Sequence, residues 1–168
     1  TAVGYFALDD ITSGASNVAI GLGALSANTT ADHNTAVGPS AMAANTTGTA
    51  NVSFGSLSLD ANTSGSYNTA IGYGTLTSNT TGHDNTACGI NSLAANTTAH
   101  YNTAFGAGAL EGCTTGEYNV AVGNIAMDAA NMTGNFNTAI GRSALGANTS
   151  GSSNCAVGIN VLGGNTTG

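Results

Sequence analysis

The strongest constraint on the fold is a 17-residue repeat that runs through the whole chain. Its consensus is N-T-A-[VI]-G-x-x-A-L-x-x-N-T-T-G-x-x, with Gly at the fifth place and Leu or Met at the ninth place of all ten units. One unit, Asn119 to Phe136, has an extra residue near Ala129–Ala130. The asparagines that open the units are Asn17, Asn34, Asn51, Asn68, Asn85, Asn102, Asn119, Asn137 and Asn154. Residues 1–168 therefore form a single array of ten tandem units.

The length of the unit selects the fold class. Helical repeats need roughly 33 residues or more because each unit holds two helices. A 17-residue unit with a fixed glycine, β-branched residues and N-T-T-G turn chemistry predicts one coil of an all-β parallel β-solenoid (β-roll). We expect N-T-A-V to form one short strand, A-L to begin a second, and the fifth and fifteenth glycines to supply corners with positive φ.

Two apolar columns are expected to line the interior. One is the Leu/Met column, and the other is the fourth-place column of Val3, Ile20, Val37, Phe54, Ile71, Cys88, Phe105, Val122, Ile140 and Val157. The third-place alanines would then point outward and form a flat strip that another chain can approach closely. This strip predicts lateral association into a trimer or bundle. The alternative is that alanine fits a tight internal corner.

The two ends of the array suggest a second mode of self-association. Solenoids normally close with atypical polar units, and neither end of this array has one. We therefore expect an array uncapped at both ends, either a segment of a longer chain or a unit that stacks end to end into a fibre.

Charge and hydropathy restrict the partners. One basic residue, Arg142, faces eight acidic ones, so the chain cannot neutralise the phosphates of a nucleic acid. It also has no basic patch for an anionic membrane surface. No apolar run approaches the roughly 18 residues of a transmembrane helix. We expect neither a nucleic-acid partner nor membrane insertion.

The N-T-A-[VI]-G-x-x-A-L unit resembles the head repeats of YadA-like trimeric autotransporter adhesins. It resembles still more the longer N-T-A-[IV]-G…N-T-T-G repeats of bacterial and phage surface proteins of the tail-fibre type. The resemblance covers the whole chain, through the A-[VI]-G core of the motif. It implies a trimeric left-handed β-roll that is exposed on a cell or virion and serves in attachment. The adhesin heads have shorter units, and no stalk, anchor or chaperone segment is visible here.

A second asparagine column, at the twelfth place, carries the N-x-[ST] pattern of N-glycosylation. Its members, and the predicted glycosylation sites, are Asn28, Asn45, Asn62, Asn79, Asn96, Asn131, Asn148 and Asn165. A turn position predicts that the amides project into solvent and carry glycans. An ordinary Asx or ST turn would explain the same letters. If the segment were extended, twelfth-place Asn and fourteenth-place Thr would form a polar grid, which is the basis of a less favoured ice-binding hypothesis.

No catalytic constellation, cofactor motif or metal site emerges, and we expect that the protein is not an enzyme. His83 and His100 share a column and could hold a metal ion between them, but only as an isolated pair. We therefore interpret them as ordinary polar surface residues. Cys88 and Cys155 are expected to be buried and Cys113 to lie on a turn. Tyr101, Tyr118 and Phe136 occupy one column, where they could clamp the turn or stack on sugars.

These patterns lead to one leading functional hypothesis. We expect a structural protein of an extracellular fibre or surface appendage, glycosylated on the twelfth-place column and assembled by self-association. The alternative is an adhesin head or phage tail-fibre shaft that binds a surface receptor. Either hypothesis places the chain outside the cell, at the cell surface or on a virion.

Overall fold

The computed structural model describes all 168 residues as a parallel β-solenoid, which confirms the predicted fold class. Each unit forms one coil, and neighbouring coils pair in register: Thr69, Ala70 and Ile71 lie beside Thr86, Ala87 and Cys88. One ten-stranded sheet results, with strands in chain order. The strands are β1 Ala2–Val3, β2 Val18–Ile20, β3 Thr35–Val37, β4 Val52–Phe54, β5 Thr69–Ile71, β6 Thr86–Cys88, β7 Thr103–Phe105, β8 Val120–Val122, β9 Thr138–Ile140 and β10 Cys155–Val157.

Each coil has a single strand, so the prediction of a second strand around A-L was wrong. That segment is a turn in which the ninth-place Leu or Met has φ between 49° and 53° in all ten coils. A left-handed residue cannot continue an extended strand. The turn is nevertheless bonded to its neighbour, since the Leu76 N–H donates to the Ser92 carbonyl oxygen at 3.1 Å.

The interior contains alanine where β-branched residues were expected. Ala70 is fully buried whereas Ile71 is 43% exposed, and the same inversion recurs along the sheet. The prediction of an inward Val/Ile column and an outward alanine strip was therefore wrong, and the alternative of an internal alanine was right. The reason is the alternation of side chains along a strand. The first and third places share a face, and hydrogen bonds inside the coil hold Asn68, at the first place, in the interior. The second and fourth places must then point outward.

The core is consequently thin. The Leu/Met column supplies one large buried side chain per coil in nine of the ten coils, as predicted. The third and eighth places contribute small residues, mostly alanine. Ser53 and Ser58 replace alanine at these two places in one coil, and their hydroxyls contact each other. The two serine hydroxyls therefore have hydrogen-bond partners inside the core.

The glycine prediction holds at one of the two corners. Fifth-place glycines have φ of 129–141° in all ten coils, and a Cβ on Gly21 would lie 2.6 Å from the carbonyl oxygen of Gly38. At the fifteenth place no residue inside the array has a positive φ, and Ala31 and Ala99 occupy that place in two coils.

The structure has no helix with the length and apolarity to span a bilayer.

Candidate functional site

Both asparagine columns lie inside the solenoid. Of the eight predicted glycosylation sites, six are fully buried: Asn28, Asn45, Asn62, Asn79, Asn96 and Asn148. Each is held by its own turn; for example, Asn79 Nδ2 donates to the Gly82 carbonyl oxygen at 3.0 Å and to Asn62 Oδ1 at 2.8 Å. A glycan on Nδ2 would replace these bonds and has no space. The expectation that these amides project into solvent was wrong, and glycans on these six residues are incompatible with the fold.

The other two sequons differ from these six. Asn131 is exposed, has φ of 58° and lies in the unit with the extra residue. Asn165 is half-buried, and its Nδ2 is buried without a hydrogen-bond partner. Asn131 is therefore the one sequon whose side chain is free of the interior. Its glycosylation remains a prediction.

The two asparagines of a unit act on one acceptor. Asn68 Nδ2 donates to the Gly82 carbonyl oxygen at 2.8 Å, beside the 3.0 Å bond from Asn79. The arrangement recurs with Asn51 and Asn62 on Gly65. The first-place asparagines also bond along the stack: Asn68 Oδ1 accepts from the Asn85 N–H and from Asn85 Nδ2. The interior thus holds two parallel amide ladders, joined once per coil through a backbone carbonyl.

The twelfth-place ladder is interrupted where the repeat is irregular. Cys113 and Met132 occupy its column in two successive coils and pair as an isolated bridge. Asn96 Oδ1 would face the next amide of the ladder and instead is buried without a hydrogen-bond partner. The sequence shows the irregular unit, but only the buried ladder shows that the substitution leaves an acceptor unsatisfied.

The polar grid of the ice-binding hypothesis does not form. Twelfth-place asparagines point inward while fourteenth-place residues such as Thr81 are exposed. Thirteenth-place hydroxyls are used within the fold, as the Thr80 hydroxyl donates to the Thr97 carbonyl oxygen at 3.0 Å. The pattern N-T-T-G is therefore turn chemistry.

The outward side chains of the ten strands form the most extensive candidate surface, which we call the strand face. It consists of the second-place and fourth-place columns, from Thr1 and Val3 in the first coil to Cys155 and Val157 in the last coil. Large apolar residues are partly exposed along its whole length, including Ile20 at 40%, Phe105 at 45% and Ile140 at 41%. No charged residue occupies either column. Continuous exposed apolar surface is typical of interaction sites.

The cysteines reverse their expected placement. Cys113 is buried, Cys88 is half-buried and Cys155 is exposed, the last two on the strand face. Burial raises the pKa of the Cys113 thiol to about 12, because desolvation disfavours the thiolate. Its Sγ donates to the Gly116 carbonyl oxygen, taking the place of an asparagine amide.

The two histidines stack instead of flanking an ion. The rings of His83 and His100 lie 3.6 Å apart between centroids, His83 Nδ1 is 2.8 Å from Asp84 Oδ2, and His100 Nδ1 accepts from the His83 N–H. Burial lowers the pKa of His100, and the neighbouring His83 lowers it further. No group of three His, Cys, Asp or Glu side chains converges in the structure.

The aromatic column forms a stack of three rings. Ring centroids are 4.8 Å apart between Tyr101 and Tyr118 and 5.0 Å apart between Tyr118 and Phe136, with nearly parallel planes. Both faces of Tyr118 are therefore covered by its neighbours. This geometry favours the turn clamp over a strip on which sugars stack.

Comparison with models of known protein families, with curated proteins and with solved structures gives no match.

Proposed function

We propose that this chain is a structural protein of an extracellular fibre or surface appendage, in which copies associate side by side through the strand face. The observation that supports this proposal is the uncharged surface along all ten strands, in which the apolar fourth-place column runs beside a second-place column of mostly threonine and valine. All eight carboxylates lie outside that face, so two copies can approach through it although the chain has a net charge of −7.

The partner is a second copy of the chain because both surfaces then have the same repeat. Neighbouring coils are paired in register along the entire sheet, so side chains of one fourth-place column are spaced by the inter-strand distance of about 4.8 Å. A copy has the same spacing, which lets rows of Val, Ile and Phe interdigitate over many coils. This surface replaces the alanine strip as the site of lateral association. The extracellular setting rests on the resemblance of the repeat to surface proteins.

The test is the molar mass in solution, measured by sedimentation equilibrium. The native chain is expected to sediment as a multiple of 16.2 kDa. The double variant Ile71→Lys/Phe105→Lys places two charges on the strand face without entering the core, and it is expected to sediment as a monomer. The control Thr47→Lys/Thr98→Lys adds the same charge at exposed turn positions and should retain the assembly.

Two outcomes would contradict the proposal: a native chain that is monomeric, or a strand-face variant that keeps the native mass. Circular dichroism of both variants establishes that the solenoid is intact. A second candidate function, receptor binding by an adhesin head or tail-fibre shaft, is favoured by a cleft on another part of the coil surface.

A further inference from the structure

We propose that a surface cleft between Tyr67 and His83 binds a single sugar residue of a carbohydrate. The cleft has a volume of about 260 Å³. It is lined by Ser64, Ser66, Tyr67, Thr81, His83 and Asp84. This site is separate from the strand face and does not depend on self-association.

The cleft results from side-chain size in two adjacent columns. At the sixteenth place a small Ser66 precedes the large His83, and at the seventeenth place a large Tyr67 precedes the small Asp84. Two rings on neighbouring coils therefore lie diagonally, with small polar residues at the other two corners. One coil further, His100 and Tyr101 fill both columns and no such opening is present.

Tyr67 supplies an aromatic surface that no other ring of the chain covers. Its side chain is 62% exposed and stacks on no other ring, whereas Tyr118 in the same column lies between two rings. The C–H groups of a sugar ring pack on the electron-rich face of an aromatic side chain. The sugar-stacking role considered for Tyr101, Tyr118 and Phe136 thus fits Tyr67 better.

The opposite wall presents polar groups in a fixed arrangement. His83 stacks on His100, contacts the edge of Tyr101, and holds Asp84 Oδ2 through Nδ1. Asp84 Oδ1 makes no hydrogen bond within the chain. With the proton on Nδ1, His83 Nε2 is a second acceptor on a residue that lines the cleft. Two acceptors held in place before binding suit the hydroxyl groups of a sugar.

The remaining lining residues favour an uncharged ligand rich in hydroxyls. Ser64, Ser66 and Thr81 add groups that can donate or accept. One carboxylate and one free imidazole nitrogen are too few to coordinate a metal ion without other ligands. The volume is slightly below the roughly 300 Å³ at which drug-sized sites begin, which limits the ligand to one sugar unit at a time.

Saturation-transfer difference NMR on the full chain tests this assignment, with D-glucose, D-galactose, D-mannose, L-fucose and N-acetyl-D-glucosamine as probes. We expect saturation transfer to at least one of these sugars. Tyr67→Ala should weaken its affinity about tenfold through the lost ring contact. Asp84→Asn should weaken it by about tenfold or more, because a charged acceptor is lost.

The matched control is Tyr118→Ala, which removes a ring of the same column whose faces are already covered, and it should bind as the native chain does. The proposal is overturned if none of the five sugars receives saturation, or if Tyr67→Ala and Asp84→Asn both bind with native affinity. Since Tyr67 and Asp84 are exposed, both variants are expected to keep the native circular dichroism spectrum.

Discussion

Asn68 and Asn79 of one coil donate to the same oxygen, the carbonyl of Gly82. Asn68 stands at the entry of β5 and Asn79 at the start of the N-T-T-G turn, so the shared acceptor closes the coil upon itself. The threonine behind Asn79 belongs to the same turn: Thr80 bonds to the next coil and Thr81 faces solvent. The N-x-[ST] pattern of this unit therefore begins with a buried asparagine that stabilises the turn, and only its last residue faces solvent.

Replacing Asn79 with alanine should destabilise the solenoid strongly. The change leaves Asn62 Oδ1 buried without a donor and removes one of the two bonds to Gly82. An unsatisfied buried group and a lost bond together should lower the free energy of unfolding by about 2–3 kcal/mol, measured by urea denaturation. Thr47→Ala, at an exposed turn position, is the control. Equal stability of the two variants would show that the ladder contributes nothing.

Replacing Cys113 with asparagine, the consensus residue of its column, should leave the stability of the chain nearly unchanged. The introduced amide nitrogen would reach Asn96 Oδ1, which has no partner, and the Gly116 carbonyl that now accepts from the thiol. The introduced amide oxygen would face Met132 in the next coil and be buried without a donor, so the unsatisfied acceptor moves one coil along the ladder. The free energy of unfolding, measured by urea denaturation, should change by less than about 1 kcal/mol. A clear gain in stability would show that the oxygen opposite Met132 finds a donor.

Glycosylation should be confined to Asn131. Secretion of the chain from cells that perform N-glycosylation is expected to add one glycan, located by mass spectrometry of its peptides. Asn131→Gln should abolish the addition, and Thr47→Ala, which destroys the sequon of the buried Asn45, should leave it unchanged. Glycans on Asn45 or Asn79 in folded protein would contradict the burial of these amides.

The exposed and the buried thiol should react at very different rates. In the variant Ile71→Lys/Phe105→Lys, whose strand face is uncovered, iodoacetamide at pH 8 is expected to alkylate the exposed Cys155 readily. Cys113 should remain unmodified until the chain unfolds, because it is buried and its pKa is raised to about 12. Peptide mass spectrometry in the presence and absence of urea measures both rates. Rapid alkylation of Cys113 in the native chain would exclude its place in the core.

Stability should fall on mild acidification. Desolvation by burial and then the charge of His83 lower the pKa of His100 in the folded chain. The unfolded state therefore binds the proton first, and stability is lost as the pH falls below about 6.5 towards the folded pKa. The native Tm should decrease between pH 7.5 and pH 5, and His100→Gln should reduce that decrease. A variant with an unchanged pH dependence would assign the effect to other groups.

The repeat length predicted the solenoid and the inward Leu/Met column, because fixed columns in a short period have few other solutions. The orientation of the strand could not be predicted from hydrophobicity. Alternation allows either Ala70 or Ile71 inside, and apolar character favours isoleucine. Asn68 determines the orientation of the strand, because its buried hydrogen bonds to Gly82 and Asn51 form only when the coils are stacked. The Tyr67–His83 cleft likewise depends on which columns become neighbours.

Because every ladder joins a residue only to its equivalents one coil away, the gene can change the length of the rod by copying or losing whole units. If recombination adds or removes 17 residues, asparagine again stacks on asparagine and leucine on leucine. The new junction then has the same contacts as the old one. A step of any other length disturbs a ladder, as in the unit with the extra residue, where Met132 occupies the twelfth-place column and Asn131 is exposed. The length of the protein can therefore evolve in steps of one coil.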